Sequence, residues 1–144
     1  MIIRKQQVDV LERETARNYV RKFADAIRED DAEEWVYPPD GPDWIQVKDL
    51  PSTLFLDMVA AGIHRASNRG LERNDDITAF VSLMFSFAPN FDRQRTINQI
   101  LTSEDVDDEE RMNLIADNVS EQDWDEVEEN YDESAWRGPA IVHA

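Results

Sequence analysis

Between residues 64 and 76 the chain reads HRASNRGLERNDD, which brings His64, Arg65, Arg69, Arg73 and the carboxylates Glu72, Asp75 and Asp76 close together. A histidine beside carboxylates is the raw material of general acid–base catalysis, and clustered arginines that of anion binding. The spacing points to a structural task instead. Arg65 and Arg69 stand one turn apart where a helix would end, and cations suit the negative end of the helix dipole. Gly70 then supplies the left-handed residue that stops a helix. Asn74 is expected to cap the next helix, with Asp75 and Asp76 in its first turn. Each polar residue of the cluster therefore has a structural role, and catalysis is not expected there.

Other chemistries fail on residue type or spacing. His64 and His143 are far apart, and no serine–aspartate spacing near either suggests a triad. The chain has no cysteine, which removes disulfides, thiolate metal sites and cysteine nucleophiles. Its four glycines are isolated, so no phosphate-binding loop is present. The run DVDDEE carries alternating acids at Asp105, Asp107 and Glu109, but a calcium loop starting at Asp105 would need glycine where Glu110 stands and a bidentate carboxylate where Ala116 stands. No catalytic residue, metal or cofactor is expected.

The elements that position these residues are helical. Leu11, Thr15, Tyr19, Phe23 and Ile27 recur every four residues, and Ala16, Val20 and Ala24 widen the stripe, predicting an amphipathic helix over 5–29. Residues 31–51 interrupt it with four prolines, a glycine and two tryptophans. Trp35, Tyr37 and Trp44 are expected to pin this connection onto the helices, a docking surface being the alternative. WIQVK is a candidate for one short strand, without a convincing partner. A second helix starts near Ser52 and buries Leu54, Phe55, Met58, Val59, Ala61, Gly62 and Ile63, its small residues Ala60–Gly62 admitting a close neighbour. Ile77, Phe80, Val81, Met84, Phe85, Phe87 and Ala88 cover most of the third helix, which should be the most buried. Short helices follow over 93–101 and 107–118, and Ser120 with Asp123 suggests an imperfect capping box for the last. The expected fold is all-α: one domain over 1–136, a bundle of five to six helices with a long Pro/Trp-rich connection at 31–51, an acidic part at 103–136 and a tail at 137–144.

Net charge is −17, and fifteen acids against Arg111 alone place −14 of it between Ser103 and Trp136. Such a field repels nucleic-acid phosphates and anionic membranes and attracts basic proteins. The N-terminal MIIRKQQVDV lacks the apolar core of a secretion signal, and no segment approaches a membrane span, so the chain is expected in the cytoplasm.

Three blocks carry a family resemblance: Ile3, Arg4 and Gln7; then Gly62, Ile63, Arg65, Ala66, Gly70 and Asp76; then the corner Asn90, Phe91 and Asp92. Over residues 2–115 the chain resembles small helical bacterial proteins encoded beside type VI secretion effector genes. The proline-rich insert at 36–51 and the acidic C-terminal part depart from that pattern. The resemblance implies a non-enzymatic role beside a toxin, as immunity protein, adaptor or chaperone.

The sequence expectation is therefore a protein-binding module that engages a basic partner, a toxin effector or secretion component. Asp123, Asp125, Glu126, Glu128 and Glu129 would supply charge. Trp124, Tyr131, Trp136, Trp35 and Trp44 would supply aromatic anchors. The alternatives are an enzyme or small-molecule regulator with a carboxylate-lined cleft near His64, and a homo-oligomer packed through Ala60–Gly62.

Overall fold

The computed structural model describes the backbone of residues 5–138 and the side chains from Asn18 onward. Leu11 and Thr15 of the first apolar stripe, Ile3, Arg4 and Gln7 of the resemblance, His143 and residues 139–144 of the tail lie outside the described side chains. The elements run α1 (Lys5–Asp30), β1 (Trp35–Val36), β2 (Ile45–Gln46), α2 (Ser52–Asn68), α3 (Asn74–Ser86), α4 (Arg95–Thr102), α5 (Arg111–Asn118) and α6 (Glu121–Glu129). Single 3-10 turns occupy Val47–Asp49, Phe91–Arg93, Asp108–Glu110 and Glu133–Trp136. The all-α expectation holds. No helix among the described residues is long and apolar enough to cross a membrane.

The centre of the core is α2 packed on α3, with α1 against both. Phe80, Val81, Met84 and Phe85 of α3 are fully buried, as the continuous apolar run predicted. Gly62 allows the close approach: a Cβ there would lie 3.0 Å from Val81 Cγ2 and 3.2 Å from Met84 Sδ. Ala61 lies under Gly138, where an added Cβ would come within 3.0 Å of it. Ala61 and Gly62 of the small-residue face are thus packed within the chain, and Ala60 is half-buried.

Between α2 and α3 the chain turns as Gly70 predicted. Gly70 has φ +84°, its N–H donates to Ser67, and Leu71 N–H donates to Ala66 while its side chain is buried. This is the paired-bond helix stop that glycine favours. The expected cap is corrected: Asn74 is already helical, and extended Arg73 precedes it without a side-chain cap bond. Arg73 instead donates to Asp76 one turn on, at 3.0 Å, and so places the buried Asp76 carboxylate in the first turn.

Residues 31–51 hold a strand pair of which the sequence announced one member: β2 falls within WIQVK, and its partner β1 was not expected. β1 and β2 are antiparallel, with Trp35 opposite Gln46 and Val36 opposite Ile45. Successive side chains of a strand point to opposite faces. Val36 is therefore in the core at 0% exposure, and Trp35 is outside at 59%. Val47 and Leu50 add to the anchoring, so aliphatic residues pin this connection, not the tryptophans. Tyr19, expected on the core stripe of α1, is also 40% exposed, with its ring 5.0 Å from that of Phe23.

Two buried carboxylates tie helices together. Asp92, 1% exposed, follows the corner after α3. Its Oδ1 accepts from Arg65 Nε (2.8 Å) and Nη2 (2.6 Å), its Oδ2 from Arg69 Nε (2.9 Å), and its carbonyl from Arg69 Nη2 (2.8 Å). Asp31, at the end of α1, accepts from the Ser82 hydroxyl (2.8 Å) and from the Ser86 hydroxyl (3.4 Å) of α3. Burial raises the Asp31 carboxyl above the ordinary aspartate value, against the lowering effect of those two hydroxyls.

Asp92→Ala leaves two partly buried guanidiniums without their anion, and stability should fall by about 3 kcal/mol or more in urea denaturation. An unchanged midpoint would remove Asp92 from the frame. Asp31 titrates with the opposite sign. Because the folded state holds its proton more readily than the unfolded chain, Asp31 destabilises the fold at neutral pH, and this penalty fades as pH falls toward the ordinary carboxylate value. Asp31→Asn should therefore be at least as stable as the parent at pH 7, and its advantage should shrink as the medium is acidified. Thermal melts of both proteins across that range check this; a difference independent of pH would contradict it.

Candidate docking surface

The polar cluster that opened the sequence analysis comes together in space as an internal clamp. Arg65 and Arg69 turn inward onto Asp92, and Arg69 also donates to Asn98 Oδ1 at 2.9 Å. His64 projects from the exposed side of α2. An acidic cleft of about 380 Å3 exists, lined by Gly70–Arg73, Asp76 and Asp107–Glu109. His64 is not among its walls, and Arg73 lies across it between Asp76 and Glu109. Among the described residues no three carboxylates or histidines are grouped to hold a metal ion.

The acidic C-terminal part divides into residues that build and residues that face outward. Ser120 and Asp123 form a true capping box: Asp123 N–H donates to Ser120 Oγ (3.1 Å) and Ser120 N–H to Asp123 Oδ2 (3.2 Å). Asp123 also accepts from Gln94 at 3.1 Å, so its charge is used internally. Val127 anchors α6 in the core. Trp124 is half-buried and stacks on Phe87, ring centroids 4.1 Å apart. Trp136 is withdrawn from the expected docking set: its indole is 2% exposed and lies 4.6 Å from the Phe85 ring. A ring with no accessible face serves the core. Asp125, Glu126, Glu128 and Glu129 remain exposed. Glu126 borders a second cleft of about 310 Å3, whose Asn90, Gln94 and Asn130 side chains already serve internal bonds.

Tyr131 connects this part to the ribbon. Its hydroxyl accepts from Tyr37 N–H (3.0 Å) and Trp136 Nε1–H (3.1 Å) and donates to the Tyr37 carbonyl (3.2 Å). Burial pushes the phenol above its ordinary value, outweighing those hydrogen bonds. Its ring meets Trp44 edge-on, centroids 4.9 Å apart, and Trp44 meets Tyr37 likewise at 5.6 Å. The register sets Trp35, Tyr37, Trp44 and Gln46 on one ribbon face, with Val36 and Ile45 on the other. Trp35 and Trp44 are 59% and 47% exposed.

The two surfaces that the sequence presented as alternatives are therefore neighbours. Glu34, beside Trp35, is raised above the ordinary glutamate value by burial and then by repulsion from Asp31 and from Glu128 of α6. Sequence reasoning missed Glu34. Tyr37, expected among the residues that pin the connection, is held there through its backbone by the Tyr131 hydroxyl. Comparison of the chain with protein-family profiles, with curated proteins and with solved structures finds no match.

Proposed function

We propose that this protein is a non-enzymatic, acidic protein-binding module whose docking face is formed where the β1–β2 ribbon meets α6. The observation that carries the reading is the pair of half-open indoles, Trp35 and Trp44, on a ribbon tied through Tyr131 to the acidic part whose Asp125, Glu126, Glu128 and Glu129 face outward. Tryptophan is enriched among the residues that dominate interface energies, and here about half or more of each residue's area stays open, 59% for Trp35 and 47% for Trp44. Asp125, Glu126, Glu128 and Glu129 supply the field that draws in a basic surface and orients it. Trp124, Tyr131 and Asp123 act beneath that face by holding it in place. The resemblance to proteins encoded beside type VI effector genes nominates the partner: a toxin effector or a component of its delivery machinery, met in the cytoplasm. The protein then acts as immunity protein or effector adaptor.

Co-expression with the effector encoded beside its gene separates these roles. An immunity protein rescues poisoned cells; an adaptor's deletion costs effector solubility or export without self-killing. In either case Asp125→Lys, Glu128→Lys and Glu129→Lys together should weaken capture of the effector at least tenfold while helicity is retained. Raising salt from about 0.1 M to 1 M, which shortens the screening length from about 10 Å to about 3 Å, should weaken the parent complex. Capture indifferent to both would sink the acidic docking face.

A further inference from the structure

Resting on the docking face just proposed, we infer that its aromatic cluster is an arginine-selective seat: the partner places a guanidinium, in preference to a lysine ammonium, against Trp44. The rings of Tyr37, Trp44 and Tyr131 stand at steep angles, 77° and 63° for the successive pairs, so faces and edges alternate around Trp44. Trp44 keeps 47% of its surface open at the centre of this group, and Trp35 lies on the same ribbon face. Aromatic faces attract cations, tryptophan most strongly. The Asp43 carboxylate sits beside Trp44, accepting its backbone N–H at 2.7 Å, while bases of the ribbon and of the C-terminal turn are engaged. Lys48 holds Glu33 at 3.0 Å, and Arg137 pairs with Asp40.

The choice between cations follows from their hydration and shape. Guanidinium is planar, weakly hydrated and stacks on aromatic rings, and its fork can meet a carboxylate at the same time. Ammonium is compact and strongly hydrated, so it gains from the acidic field but little from the indole. Charge alone attracts both, and any arginine preference from carboxylate forks survives loss of the indole. The part of the selectivity that Trp44 carries therefore reports the rings, and total affinity reports the charge.

The test titrates the full chain with oligoarginine and oligolysine of equal length, followed by calorimetry and tryptophan fluorescence. The arginine peptide should bind about two- to fivefold tighter per seated residue, the range expected for an exposed cation–π contact. Trp44→Leu should remove the indole's part of that preference and leave the lysine peptide's affinity in place, whereas Trp44→Phe should keep some of it. The α6 lysine triple variant should weaken both peptides alike. Equal affinity of the parent for the two peptides, or a preference unchanged in Trp44→Leu, overturns the seat and leaves the acidic docking face standing. Failure of either peptide to bind at low salt overturns both.

Discussion

One buried carboxylate sets the frame on which the rest of the molecule hangs. Asp92 receives four hydrogen bonds from two arginines in the last turns of α2, one of them through its own carbonyl. Burying an ion is costly unless its lone pairs are satisfied with good geometry, and here both carboxylate oxygens are. The clamp fixes the corner Asn90–Phe91–Asp92 against α2, and Phe91 meets Phe80 of α3 at 4.7 Å. Asn90, two residues before Asp92, then uses its amide as an adaptor. Its Nδ2 donates to the Asn130 carbonyl (2.9 Å), and its Oδ1 accepts from Asp132 N–H (3.0 Å). With Gln94 on Asp123, Arg93 on Asp132 and Trp124 on Phe87, that side chain registers the C-terminal part, in which Trp136 enters the core and Tyr131 meets the ribbon. The path from Asp92 to Trp44 thus consists of named contacts, with the docking face at its far end.

Charge follows from the same frame. The bases nearest the structural joints are engaged within the chain: Arg65 and Arg69 on buried Asp92, exposed Arg73 on Asp76, and Arg111 on Asp108 and the Ile100 carbonyl. Arg111 is the one base between Ser103 and Trp136, and it is buried. Its internal use leaves the outward acids of α6 uncompensated within their own segment. Exposed ion pairs such as Lys48–Glu33 contribute about 1 kcal/mol or less, so they neutralise charge more than they stabilise.

The sequence made the helices legible because their signals are local. Apolar periodicity located α2 and α3, Gly70 marked the stop, and Ser120 with Asp123 marked the start of α6. Roles that depend on distant partners were not legible. Arg65 and Arg69 read correctly as residues of a helix end, yet nothing nearby could reveal Asp92 more than twenty residues on. WIQVK was legible as the strand β2, but its partner β1 escaped because two residues are too few for a periodic pattern to be seen. Trp136 escaped for a different reason. It sits among acids in the sequence, but a four-residue 3-10 turn carries it under the surface and onto Phe85. Local composition describes a segment's average environment, and a single turn can invert it for one side chain.

The ribbon's small size also bears on how a partner would be held. A two-residue strand pair has little stability of its own. Val36, Val47 and Leu50 hold it down, while Tyr131 bonds both backbone groups of Tyr37. Trp44 is consequently braced between two tyrosines before any partner arrives. Binding pays for every side chain it must immobilise, so a ring already held loses less freedom than one free to rotate. Exposed indoles on a loose loop would act as indiscriminate hydrophobic patches. In the docking role proposed above, Trp44, fixed at steep angles to Tyr37 and Tyr131 and beside the Asp43 carboxylate, would discriminate by shape and by charge together. The internal hydrogen bonds of Tyr131 therefore bear on recognition as well as on stability, because they decide whether the outer rings meet a partner already arranged.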